Sequence, residues 1–217
     1  MKTRINLIAI ALFTLLAVSC SNDSQPKDFD YGTVENNTYQ NSFFDFKIDL
    51  PTDWVVQTRE QLENLAEVGK ELVAGDNKNM KAAIKASEIN SANLLAVFKY
   101  EVGAAVDYNP NFMLVAENLK NAPGIKTGSD YLFQTRKLLK QAQVQYSSID
   151  EEFKKEMING QEFYLMNASI DYLGLSINQA YYSTIKDGFC VSAIISFADD
   201  KQKMDLEKVI NSISFSK

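Results

Sequence analysis

An α+β fold is predicted by three features of the sequence: paired-residue reversals in its last third, one strictly alternating stretch near its start, and helix-capping signals between them. The reversals divide Lys154 to Phe197 into four runs rich in β-formers: Lys154–Ile158, Gln161–Tyr172, Leu175–Lys186 and Phe189–Phe197. Asn159-Gly160 and Asp187-Gly188 are pairs that tolerate the positive φ of the tightest hairpin turns, and Leu173-Gly174 supplies a third reversal between them. The expected architecture is an antiparallel sheet, a C-terminal four-stranded meander plus N-terminal strands, packed with several helices.

At the start of the chain, Lys2 and Arg4 precede an apolar run from Ile5 to Val18 that only Asn6 and Thr14 interrupt. The run falls short of the roughly 20 residues a bilayer span needs and matches the hydrophobic region of a secretory signal. It leads into Leu16-Ala17-Val18-Ser19-Cys20, which resembles the lipobox of bacterial lipoproteins, with Ala17 where leucine is commonest. The resemblance implies a signal peptide over residues 1–19, cleavage before Cys20, a diacylglyceryl group on its sulfur, and acylation of the new N-terminus, as by palmitate. Several acyl chains hold a protein stably on a membrane, since each buried CH₂ contributes about 0.8 kcal/mol. Ser21, beside the lipidated cysteine, implies passage to the outer membrane in a cell that has two. The expected location is therefore the cell envelope, facing the periplasm or the exterior. The alternative is an ordinary signal cut near Ser19, leaving Cys20 a free thiol.

Residues 20–36 are polar, carry Pro26 and lack periodicity, the composition of a flexible spacer. Residues 37–217 remain for a single domain with a substantial core. Asn37–Gln40 reads as a short strand. In Phe44 to Leu50, Phe44, Phe46, Ile48 and Leu50 alternate with Asp45, Lys47 and Asp49, the pattern of a half-buried strand. Pro51 ends it, and Asp53–Val56 resumes with Trp54 as a core plug. Thr58-x-x-Gln61 is a capping box that opens a helix ending at Gly75; a second helix is expected within residues 76–87. Asn93–Val102 reads as a strand. Asn109-Pro110 is expected to open a helix with Phe112, Val115, Ala116 and Leu119 on its inner side. Ser129 is taken as the cap of another, carrying Leu132, Phe133, Leu139 and Arg136, followed by a strand from Ala142 to Ser148. In the second meander strand, Tyr164, Met166, Ala168, Ile170 and Tyr172 read as the core face. Asp199 or Asp200 caps a last helix with Leu206, Val209 and Ile210 inside, and Ile213–Phe215 adds a short strand.

The charge and side-chain inventory removes several functions. The chain carries a net charge of −6, and loss of Lys2 and Arg4 leaves 20 basic against 28 acidic residues, or −8. An acidic domain repels phosphate backbones, so nucleic acid is not an expected partner. The chain has no histidine, which rules out Ser-His-Asp and Cys-His catalysis, histidine bases and histidine metal sites. Gly124 and Gly128 lack the spacing of a phosphate-binding loop. With lipid on Cys20, Cys190 has no disulfide partner; within Phe189–Ala193 it reads as a small buried hydrophobe rather than a nucleophile. Asp150-Glu151-Glu152 and Asp199-Asp200 lack the spacing of a calcium loop, and a turn and a helix cap account for them. No cofactor and no metal is expected.

Several of these motifs together resemble the PsbP-like superfamily, which includes bacterial DcrB-type lipoproteins. They are Leu50-Pro51-Thr52-Asp53-Trp54, Gly160 to Phe163, the tyrosine-bearing Gln179–Tyr182, Asp187-Gly188-Phe189, and the closing Ile210, Ser212, Ile213 and Phe215. The resemblance covers roughly residues 37–217 and is weakest in the helical middle. It implies a non-catalytic binding or envelope-assembly accessory domain rather than an enzyme, with an envelope protein or a glycan as partner. The motifs are structural and place no functional residue of the family. Tyr146, Tyr164, Tyr172, Tyr181 and Tyr182, on neighbouring predicted strands, are the candidate ligand face. They form either a concave tyrosine-lined surface or cross-strand packing under helices. The alternative function is a carboxylate-dependent hydrolase, for example glycan-directed, whose two acids need only meet in space.

Overall fold

A computed structural model of the chain describes residues 26–216. The signal peptide, Cys20 and Ser21 lie outside the described residues. In chain order the elements are β1 (Thr33–Glu35), β2 (Thr38–Asn41), β3 (Phe46–Asp49), β4 (Val55–Val56), α1 (Arg59–Ala74), α2 (Lys78–Glu88), β5 (Ser91–Phe98) and β6 (Asn111–Asn118). Then come α3 (Gly128–Leu139), β7 (Ser148–Ile149), β8 (Lys154–Ile158), β9 (Gln161–Tyr172), β10 (Leu175–Lys186), β11 (Phe189–Phe197), α4 (Asp200–Ser212) and β12 (Ser214–Phe215). The class is α+β with antiparallel sheets, as the sequence predicts.

The meander β8 to β11 forms with the expected bounds. Its three turns have positive φ at both residues: Asn159 (46°) and Gly160 (88°), Leu173 (51°) and Gly174 (83°), Asp187 (50°) and Gly188 (79°). This is the backbone that matches strand twist in a two-residue hairpin. The large sheet runs β4-β5-β6-β11-β10-β9-β7, with β8 also on β9; a small sheet runs β1-β2-β3-β12. All pairings are antiparallel.

Because β11 is central, every one of its residues is buried. Its odd-numbered residues Phe189, Val191, Ala193, Ile195 and Phe197 join Tyr39, Phe44, Phe46, Ile48 and the inner face of α4 in the main core, between the two sheets. On the opposite face, Ile194 packs with Met166, Ile170, Ile177 and Tyr181 beneath α2 and α3, while Leu62 and Leu65 of α1 cover Ala96, Phe98 and Met113. The sheet is thus covered on both sides. This is why β9 buries Phe163 and Leu165 as well as the Met166, Ala168 and Ile170 row that the sequence favoured.

Four expectations need correction. Residues 111–118 are a strand, not a helix: the spacing of Phe112, Val115 and Ala116 fits a helical face, but Met113 and Leu114 are equally apolar, and every residue from Asn111 to Glu117 is buried in the strand that pairs with β5 and β11. A strand covered on both faces reads as a continuous apolar run. Asn109 caps no helix; its side chain accepts from the Tyr100 N–H at 3.0 Å and donates to the Tyr100 carbonyl at 2.8 Å. The cap of α3 is Thr127, in a reciprocal box with Asp130, rather than Ser129. The strand expected over 142–148 shrinks to Ser148–Ile149. Finally, the spacer ends earlier than residue 36: β1 lies within it, and Phe29 rests on Phe43 and Phe189 with ring centroids 5.0 and 5.5 Å away.

Candidate functional site

The five candidate tyrosines do not form one surface. Tyr181 and Tyr182 are adjacent in β10 and so point to opposite faces of the sheet; both are buried, Tyr181 beneath the helices and Tyr182 in the core between the sheets. Tyr146, Tyr164 and Tyr172 are half-buried on the helical side, packed on the same cluster as Tyr181. The hydroxyls of Tyr146 and Tyr181 both donate to the Gln179 Oε1, at 3.2 and 2.7 Å. Tyr108, which the sequence reading did not single out, hydrogen-bonds Ser196 in the same layer. Burial pushes the Tyr108 and Tyr146 hydroxyls up to about 12. These groups are neutral structural donors that tie the 99–110 loop and the 142–147 loop to the sheet.

The helix-covered face also holds a polar stripe. Glu117 is buried and accepts from the Tyr131 hydroxyl at 2.7 Å. Cys190 lies opposite Glu117 in the ladder, and burial drives its thiol well above the usual range. Ser183 and Ser192 bond each other at 2.7 Å. Gly128 permits this layer to close: a Cβ there would lie 2.0 Å from the Ser183 carbonyl oxygen. A sealed thiol of raised pKa is no nucleophile, which agrees with the hydrophobe reading of Cys190.

A cleft of about 660 Å³ runs along the exposed side of α3 and is bounded by the 121–125 loop and by Glu151–Phe153. Arg136 lies between the rings of Phe133 and Phe153, its guanidinium carbon 5.2 and 5.1 Å from their centroids. It donates to the Glu151 carbonyl and pairs with the Glu151 carboxylate at 3.2 Å. Phe133, expected in the core, is exposed on this wall. A hydrogen bond from Lys140, with the Lys140 and Arg136 charges behind it, holds Glu151 below the usual carboxylate range. Asp130 is likewise held low, chiefly by the Lys126 N–H, because it completes the cap of α3. The sequence carried a partial signal for this cleft: Phe133 and Arg136 are three apart and share a helix face. Nothing in it placed Glu151 against them.

A second cleft, about 550 Å³, lies between α4 and the Leu50–Trp54 turn. Its acids are Asp49, Asp53 and Asp205; Lys208, by a 2.9 Å contact, lowers the Asp205 carboxyl. Among the described residues, no group of three or more cysteines and acids is placed to hold a metal ion, and no helix is long and apolar enough to cross a membrane.

No protein-family model and no curated protein matches the chain. Solved structures share its outline at low identity. CyanoP, the PsbP of Synechocystis sp. PCC 6803, is 12% identical with a TM-score of 0.49, over 85% of this chain and 98% of that one. A Bacteroides thetaiotaomicron protein is 11% identical with a TM-score of 0.45, over 85% of this chain and 50% of that one, so the chain spans about half of its length. LpqN, described as involved in cell envelope biogenesis of Mycobacterium tuberculosis, is 11% identical with a TM-score of 0.44, over 79% and 83% of the two chains. Likenesses this distant say nothing of activity, ligand or partner.

Proposed function

We propose that this chain is an extracytoplasmic domain, held to a membrane through lipid on Cys20, that serves the envelope by binding rather than by catalysis. The observation that carries this reading is how three acids in the two clefts are engaged: Asp130 in the cap of α3, Glu151 with Arg136 and Lys140, and Asp205 with Lys208. A carboxylate hydrolase needs one carboxyl whose pKa is raised so that it holds a proton for the leaving group. Asp130, Glu151 and Asp205 are all shifted the other way, each committed to a lysine, an arginine or a helix cap. The buried Glu117 sits under α3 against Tyr131, away from both clefts.

The test is made in cells lacking the native gene. Chains carrying Glu151→Gln or Asp205→Asn restore the envelope as the parent does, whereas Cys20→Ser loses both fatty-acid labelling and restoration. Loss of restoration in a folded Asp205→Asn or Glu151→Gln chain would turn the reading to the hydrolase. Labelling that persists in Cys20→Ser would remove the anchor.

A further inference from the structure

The two ends of the large sheet differ. At one end lie the Asn159-Gly160 and Asp187-Gly188 turns, and the chain from the spacer enters there, because Phe29 rests on Phe189, the partner of Lys186 at the end of β10. At the other end, Phe98 pairs with Asn111, Asn111 with Ser196, and Ser196 with Gln179. This end is therefore crowned by the 99–110 loop and by the Leu173-Gly174 turn.

The crown is apolar where loop tips are normally polar. Val102, Val106 and Tyr100 are about two-fifths exposed, and Leu173 is 89% exposed. Leu173 also has φ of 51°, a left-handed backbone that suits glycine, asparagine or aspartate and strains a leucine. The other two hairpins put Asn159 and Asp187 at the equivalent position, with φ of 46° and 50°. A greasy, strained residue in full solvent lowers stability twice, and a contact outside the domain offsets it. The layer beneath is stiff: Tyr108 bonds Ser196, and Tyr146 and Tyr181 meet on Gln179.

We propose that this crown is a docking surface and that its occupant is a protein presenting an apolar recess with a basic rim. The inference rests on the Cys20 anchor proposed above. Nine residue steps lead from Cys20 to Phe29 and reach at most about 30 Å, while the twelve residues of β10 span about 40 Å. The Leu173-Gly174 turn, a whole strand length from Phe189, therefore lies beyond the reach of the lipid tether, while the 99–110 loop, level with Gln179, stands nearer to it. Exposed Glu101 and Asp107 bracket the Val102–Val106 tip, and exposed Asp171 flanks Leu173; these acids repel an anionic bilayer and suit lysines or arginines.

The experiment places a photocrosslinking amino acid at position 173, 106 or 157 of the full chain in intact envelopes. Position 157 is the control, since Met157 is exposed at the spacer end. One protein adduct common to 173 and 106 and missing at 157 is expected. Leu173→Asn, in the same full chain, is expected to raise the melting temperature by about 2–4 °C while cutting the adduct at 106 at least fivefold. Both results together support the proposal. Adducts of phospholipid or glycan mass, an adduct of the chain with itself, equal adducts at 157, none at 173 and 106, or an adduct at 106 indifferent to Leu173→Asn would each overturn it. The anchor is read separately by fatty-acid labelling of Cys20→Ser, so either idea is able to fail alone.

Discussion

The two faces of the large sheet are built by the same strands and held by different means. Toward the small sheet, β11 presents Phe189, Val191, Ala193, Ile195 and Phe197 to a layer of rings that includes Phe29, Phe43, Phe44 and Phe46. Toward the helices the same strand presents Cys190, Ser192, Ile194 and Ser196, next to Glu117, Ser183 and Gln179. One face is stabilised by apolar area, which tolerates imprecision in direction. The other depends on hydrogen bonds whose loss leaves buried polar atoms unmatched. A small change of shape should therefore hurt the second face more, and a large loss of volume should hurt the first.

The largest effect belongs to the ring layer. Phe44 has no exposed surface and meets Phe29, Phe43, Phe46 and Phe189. Phe44→Ala is expected to destabilise by about 3–5 kcal/mol, read as a shift of the urea midpoint, whereas Phe44→Leu should cost under half of that. On the helical face, Tyr131→Phe removes a single oxygen yet takes a donor from buried Glu117. Its expected cost is about 2–3 kcal/mol. A loss below about 1 kcal/mol would mean that the two faces do not differ as argued, because Glu117 would then be satisfied without Tyr131.

Gly128→Ala comes next. Alanine at the first turn of α3 gains up to about 1 kcal/mol of helix propensity. Against it, the new methyl would sit 2.0 Å from the Ser183 carbonyl oxygen, a backbone atom that does not swing aside. Forcing the layers apart costs about 1–3 kcal/mol, so a net loss of about 1 kcal/mol or more is expected in the thermal midpoint. A gain would show that α3 floats on the sheet and that the polar layer is loose.

The same contrast explains what was legible in the sequence. The meander could be read residue by residue, because two-residue turns at Asn159-Gly160 and Asp187-Gly188 are local signals and fix the register of everything between them. Capping boxes are local as well, and Thr58 with Gln61 was found for that reason. Strand β6 was misread because it is buried on both faces, which erases the alternation that separates strand from helix. The tyrosines failed as a surface for a related cause. Period two puts Tyr181 and Tyr182 on opposite sides, but only the helices laid over β10 decide that neither side is open. The α3 cleft depends on Glu151 approaching Arg136 from fifteen residues along the chain, a tertiary contact without a local signal.

The smallest expected effect is on acid sensitivity, and it probes one aspartate beside each face. Asp30 belongs to the small-sheet side, where burial pushes its carboxyl up but hydrogen bonds from Ser42 and the Gly32 N–H outweigh that and leave it low. Asp130 belongs to the helical side and is held low by the Lys126 N–H and by Thr127. A carboxyl that is more acidic when folded contributes stability above its ordinary value, near 3.9, and that contribution is lost as pH falls through the lower folded value. Thermal midpoints measured from pH 7 down to pH 2.5 should thus fall less steeply below pH 4 for Asp30→Asn and Asp130→Asn than for the parent, with each single change small. Asparagine keeps an acceptor for the N–H groups, so both variants should fold at neutral pH. If Asp130→Asn flattens the acid limb and Asp30→Asn leaves it unchanged, the helical face opens first in acid, as a layer held by hydrogen bonds should. The reverse order would place the weaker seam in the aromatic layer, where Asp30 ties Gly32 to Ser42.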